Sequence, residues 1–248
     1  MISPSQTLKW GLLMLPHFQW LDAVGPVDLI NTHSQAMLKH LQFPEALVAK
    51  APIIQWSYIS HDLSPMSASS GPPQTPTETY KTCPQLDYLI IPGPDPDQPL
   101  PEGCAEFLKR QFGGLKALIT VCTGSLAIAS TGLLDGLQVC SNKFVLRSMA
   151  QNGSLNKNVT GVDDLYKTMK WKGELNKKVS WVGDRRWVVD GKVWSAAGVT
   201  AGMDLAAEFV RVHFDEAVVN LAKQLMEFEG KKAQPDPWAS IIDGVDLN

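Results

Sequence analysis

Cys122 stands where an apolar run stops and a string of small residues begins. Leu115 and Ala117–Val121 are apolar, Thr123, Gly124 and Ser125 follow the cysteine, and Leu126–Ala129 resume as an apolar helix. A thiol at such a strand-to-helix turn has two readings. It can be core filler, since free cysteine is among the most buried residue types. It can also be a nucleophile, because the unpaired N–H groups and partial positive charge of a helix N-terminus lower a thiol pKa and steady an oxyanion formed beside the sulfur. On the second reading Cys122 is the most reactive thiol and has a depressed pKa, whereas Cys83, Cys104 and Cys140 lack such a setting. Gly124 would let the backbone pack closely, as in other nucleophile elbows.

The elements that must hold this turn follow from the apolar pattern. Strands are predicted over 8–15, 53–60 and 115–121, and the near-continuous apolar run 86–93, ending in Pro-Gly, reads as a central parallel strand. Helices are predicted from Pro26 to about His40, over 102–112, 123–131 and 142–151, and from Thr200 to Phe228 with a break near Phe214-Asp215. Residues 64–84 hold five prolines and read as an extended surface crossing, and 154–180 are polar without clear periodicity. Asp190-Gly191 is the expected turn of a hairpin, and Asp184-Arg185-Arg186 a solvated turn before it. Strands alternating with helices predict an α/β fold with a mainly parallel sheet. Ligands bind such sheets at the carboxyl ends of their strands, which is where Gly93 and Cys122 lie.

At 248 residues the chain can bury a sizeable core, and a single domain is expected over 1–248, with its core over about 8–230 and a tail, 231–248, packed through Trp238. A net charge of −3 with no basic stripe argues against nucleic acid as a partner. No apolar run reaches membrane-spanning length, and the N-terminus lacks the basic and cleavage regions of a signal peptide. The four cysteines form no CxxC or zinc spacing, so reduced thiols in the cytoplasm and no metal are expected.

Four ordered stretches, "FQWLDAVGPVDLI", "CPQLDYLIIPG", "ALITVCTGSLAIASTGLLDG" and "DGKVWSAAGVTAGMDLAAEFV", resemble motifs of the DJ-one/PfpI superfamily. Together they span about residues 8–230. The resemblance implies a flavodoxin-like, class I glutamine-amidotransferase-like sandwich with a nucleophile elbow after a central strand. The Thr-Gly after the cysteine is similar to the isonitrile hydratase-like subgroup. Carried over by position, Cys122 is the nucleophile, Asp22 the carboxyl group beside it, and Thr123 a source of a hydroxyl and a backbone N–H. Gly93 and Asn142 would line the substrate and oxyanion pocket; His17, near Asp22 in sequence, is a weaker candidate for the same wall. The chain departs from the family pattern in three places: Thr123 follows the nucleophile where other branches have histidine, Pro94 replaces the second glycine of a pair, and Asn142 stands where a histidine is found. Proline removes one presumed oxyanion donor, which would have to come from a neighbour such as Asp95.

The resemblance implies a cofactor-free lyase whose thiolate attacks a small electrophile, an isonitrile R–NC, to give an N-formamide. It leaves two alternatives, glyoxalase-type action on an α-oxoaldehyde and a non-enzymatic thiol sensor oxidised at Cys122. The missing histidine beside the cysteine counts against the glyoxalase. Homodimers are implied as well, with modest charge and several tryptophans as the chain's own support.

Overall fold

The computed structural model describes residues 6–151 and 174–247. Its strands are β1 (Thr7–Leu13), β2 (Ile53–Ser60), β3 (Glu78–Thr79), β4 (Tyr88–Ile91), β5 (Ala117–Val121), β6 (Gln138–Val139), β7 (Ser180–Trp181), β8 (Trp187–Asp190) and β9 (Val193–Ala196). Seven of them form one sheet in the order β3-β2-β1-β4-β5-β9-β8, parallel except for β8, while β6 and β7 pair separately. The helices are α1 (Trp20–Thr32), α2 (Gln35–His40), α3 (Glu45–Val48), α4 (Cys104–Gly114), α5 (Gly124–Ile128), α6 (Lys143–Ala150), α7 (Val199–His213) and α8 (Glu216–Met226). This is the α/β architecture with a mainly parallel sheet that the alternation of elements predicts.

Strand periodicity sorts the core into two layers. Trp10, Leu12, Tyr88, Ile90, Ile119, Val121 and Trp194 face one way and meet Phe209 of α7 and Leu29 and Ile30 of α1. Leu13, Leu89, Ile91, Leu118 and Val193 face the other way, toward Phe107 and Leu108 of α4. Covered on both faces, β4 and β5 are buried at every residue, which is why they read as continuous apolar runs. Phe209 sets its ring edge-on to Trp10, Tyr88 and Trp194, each at 5.2 Å between centroids. Such pairs contribute about 0.5–1.5 kcal/mol each beyond burial.

Three local expectations are corrected. The first helix begins at Trp20, with Pro26 inside it rather than at its first position. Proline forfeits one bond of the helix ladder, but tertiary contacts hold the first turn: Gln19 N–H donates to Gly93 O at 2.8 Å and Trp20 N–H to Ser69 Oγ at 3.1 Å. The early start puts Asp22 in the first turn of α1. In the hairpin Asp190 pairs with Val193, so the turn is Gly191-Lys192, with Gly191 at φ 56°. The tail does pack on the body, but Trp238 is 61% exposed and does not anchor it. The polar stretch beginning at residue 154 lies outside the described residues as far as 173.

Candidate active site

The direction of strand addition reverses between β1 and β4, with β5 next to β4, and ligands bind sheets of this kind at such a reversal. Cys122 follows β5 directly and takes φ 56°, a left-handed conformation that is uncommon for a residue with a side chain. Both of its peptide groups are tied down: its N–H donates to Ala196 O at 3.1 Å, and its carbonyl accepts from Ser141 Oγ at 2.7 Å. Gly124 permits the tight approach, because a Cβ there would stand 2.3 Å from Ile91 O at the end of β4. The thiol is thus held up at the sheet edge by strand ends on both sides.

Asp22 arrives from α1 and is completely buried. Its Oδ2 accepts the Gly93 N–H at 3.0 Å, and its Oδ1, also buried, has no conventional hydrogen-bond partner. Burial raises the Asp22 pKa to about 7, while the Gly93 N–H and the Cys122 thiol, which hydrogen-bonds to it, pull it partway back. Gly93 is crowded in: a Cβ would lie 2.5 Å from Thr123 Oγ1 and 3.0 Å from Asp22 Oδ2. Its N–H serves the acid rather than an oxyanion.

The expectation of a depressed thiol pKa is corrected. Burial, then the charge of Asp22, push Cys122 up to about 12, against the Thr123 N–H and the Asn142 amide, which favour the thiolate. Helix α5 has five residues and a correspondingly small dipole, too little to offset burial of the thiol together with the charge of Asp22. Cys83, Cys104 and Cys140 are pushed up as well, to about 11, 11 and 12, chiefly by burial. Asp22 is thus a buried carboxyl group hydrogen-bonded to a buried thiol.

Asn142 caps α6 through Oδ1, which accepts from Val145 N–H at 3.2 Å, and this leaves Nδ2 to donate to Cys122 Sγ at 3.5 Å. Thr123 offers the sulfur its N–H, while its hydroxyl donates to Pro94 O at 2.6 Å. Cys122, Asp22, Thr123, Gly93 and Asn142 therefore converge. His17 does not join them: it is exposed, at φ 56°, with its backbone N–H on Ser67 O at 3.2 Å.

Asn142 also opens onto a cavity of about 250 Å³ whose walls include Phe144, Arg186, Val199, Trp238 and Ile241. The sequence reads Arg186 as part of a solvated turn, yet it is 4% exposed and pairs with Asp204, its Nε 2.8 Å from Oδ2. That partner lies on α7, and local pattern carries no sign of it. Ser141, which holds the Cys122 carbonyl, carries no sequence signal beyond its adjacency to Asn142. Among the described residues no group of three or more His, Cys, Asp or Glu is gathered to hold a metal ion.

Comparison with known proteins bears on the family and the fold. The model of the DJ-1/PfpI family matches residues 45–212. The isonitrile hydratase of Pseudomonas putida is 27% identical over 235 residues, covering 94% of this chain and 82% of that protein. Among solved structures, a ThiJ/PfpI family protein from Pseudomonas syringae superposes with TM-score 0.62 at 20% identity, over 95% of this chain and 79% of the other. DJ-1beta of Drosophila melanogaster gives TM-score 0.62 at 12% identity, over 90% of this chain and all of the other, 100%. At these identities the two structures speak to the fold alone.

Proposed function

The chain belongs to the DJ-1/PfpI family, and from that membership and the geometry around Cys122 we propose that it is a cofactor-free, cysteine-dependent hydratase that turns isonitriles into N-formamides. The observation that carries the reading is the pairing of a buried acid, raised to about 7, with a buried thiol at a strained elbow. An acid with a pKa near the working pH is suited both to take and to give a proton. The 27% identity to an isonitrile hydratase supports the choice of substrate class.

In the proposed sequence ionised Asp22 takes the thiol proton as Cys122 Sγ attacks the terminal carbon of R–NC. The C–S bond forms, and the carbon takes the proton back from Asp22, giving the thioimidate R–N=CH–S–Cys122. Asp22 then removes a proton from a water that adds to this carbon and passes it to nitrogen. The adduct R–NH–CH(OH)–S–Cys122 collapses to R–NH–CHO, and the sulfur leaves with the hydroxyl proton. One water is added per isonitrile and no electrons are exchanged. The Thr123 N–H and the Asn142 amide steady the sulfur whenever it carries charge.

A homodimer belongs to the same reading. Its support is an apolar groove of about 440 Å³ over α1, lined by Trp20, Val24, Val27, Met203 and Met226, beside the half-exposed Leu21. Four free cysteines support a reducing, cytoplasmic setting.

The test follows formamide formation from an aryl isonitrile by ultraviolet absorbance. Wild-type protein should turn the isonitrile over, and Cys122→Ala and Cys122→Ser should not. Turnover by Cys122→Ala at the wild-type rate would end the proposal.

A further inference from the structure

The cavity shares Asn142 with the group around Cys122, and its wall includes Asp236, Trp238 and Ile241 of the chain's own C-terminal tail, which lies beyond the residues matched by the family model. Four anchors fix that tail. Lys143, next to Asn142, has its Nζ 2.5 Å from Asp236 Oδ2, with side chains only 5% and 1% exposed. Arg186 N–H donates to Ala233 O at 2.9 Å, Lys231 N–H to Asp204 Oδ1 at 2.9 Å, and Arg147 Nη1 to Ile241 O at 2.8 Å. Trp238, between these anchors, and Ile241, itself one of them, both line the cavity. Trp238 is 61% exposed, a large apolar surface held open on a well-tethered segment.

The charges in the wall are already matched. Lys143 pairs with Asp236, and Arg186 with Asp204 and, at 4.0 Å, with Asp236. A charged ligand would enter this space without a free counter-charge and would lose hydration, which is costly. An apolar body would instead meet Phe144, Val199, Ile241 and Trp238. At about 250 Å³ the space lies below the roughly 300–1,000 Å³ of drug-sized pockets, so it suits a group about the size of one ring.

We propose that the C-terminal tail is the specificity wall of the site, with Trp238 and Ile241 as specificity-determining residues that select substrates having a neutral, ring-sized apolar body. The substrate class rests on the isonitrile reading above; the wall itself does not. In wild-type protein kcat/KM for cyclohexyl isonitrile should exceed that for methyl isonitrile and for isocyanoacetate, each by at least about tenfold. Trp238→Ala collapses the cyclohexyl-to-methyl ratio about tenfold, mainly through KM for the cyclohexyl substrate, and Trp238→Phe retains most of it. A second measurement needs no turnover: calorimetric binding of N-cyclohexylformamide to the Cys122→Ala protein, with and without Trp238→Ala. Binding weakened about tenfold by Trp238→Ala supports the wall even if no isonitrile is hydrated. Binding unaffected by Trp238→Ala, or no binding to the Cys122→Ala parent, overturns it whatever the turnover, as does an unchanged ratio or a preference for isocyanoacetate.

Discussion

Asp22 is the residue on which the site's energetics turn. Its pKa is about 3.8 when solvated and about 7 in the fold, so between those values the native state holds a proton that the unfolded chain releases. Stability therefore falls as pH rises through that window, and above pH 7 the ionised buried carboxylate costs on the order of 4 kcal/mol. Asp22→Asn removes this cost while keeping an acceptor for the Gly93 N–H. Urea denaturation should show the variant gaining roughly 2–3 kcal/mol more, relative to wild type, at pH 8 than at pH 5; an equal gain at both would place the acid in water. The same substitution deletes a negative charge that raises the thiol pKa. Thiolate absorbance near 240 nm should accordingly appear at lower pH in Asp22→Asn than in wild type.

At the scale of elements, the site depends on how closely the ends of β4 and β5 approach the start of α5. Gly124→Ala places a methyl group 2.3 Å from Ile91 O, so either the strand end or the elbow must move. A stability loss of about 1–3 kcal/mol is expected, the usual cost of overpacking, together with loss of Cys122 reactivity; thermal denaturation and alkylation rates would measure the two. Much of this arrangement is legible in the chain. The buried strands announce themselves by unbroken apolar runs, and Cys122 and Gly93 by their place just after them. What escapes the sequence is long-range. The thiol pKa is set by burial and by Asp22, 100 positions away in the chain and delivered by a helix that starts six residues before its proline. Arg186 reads as solvated because its partners, Asp204 and the tail, lie well downstream. In both cases tertiary packing overrides a local signal.

For the whole molecule, the apolar groove over α1 and the tethered tail divide the surface between a proposed partner face and a proposed substrate face. Light scattering at micromolar concentration should give twice the chain mass of 27.2 kDa, and a mass equal to one chain would remove the dimer. The central claim, that Asp22 handles the proton for Cys122, is tested most directly by the pH dependence of kcat/KM for an aryl isonitrile, measured in wild type and Asp22→Asn. The attacking form has Asp22 ionised, so wild-type kcat/KM should rise with pH through an ascending limb centred at about 7. In Asp22→Asn that limb should vanish and the rate fall on the order of 10²-fold or more. A wild-type profile flat between pH 5 and 9, or an Asp22→Asn profile that keeps the same limb and rate, would contradict it.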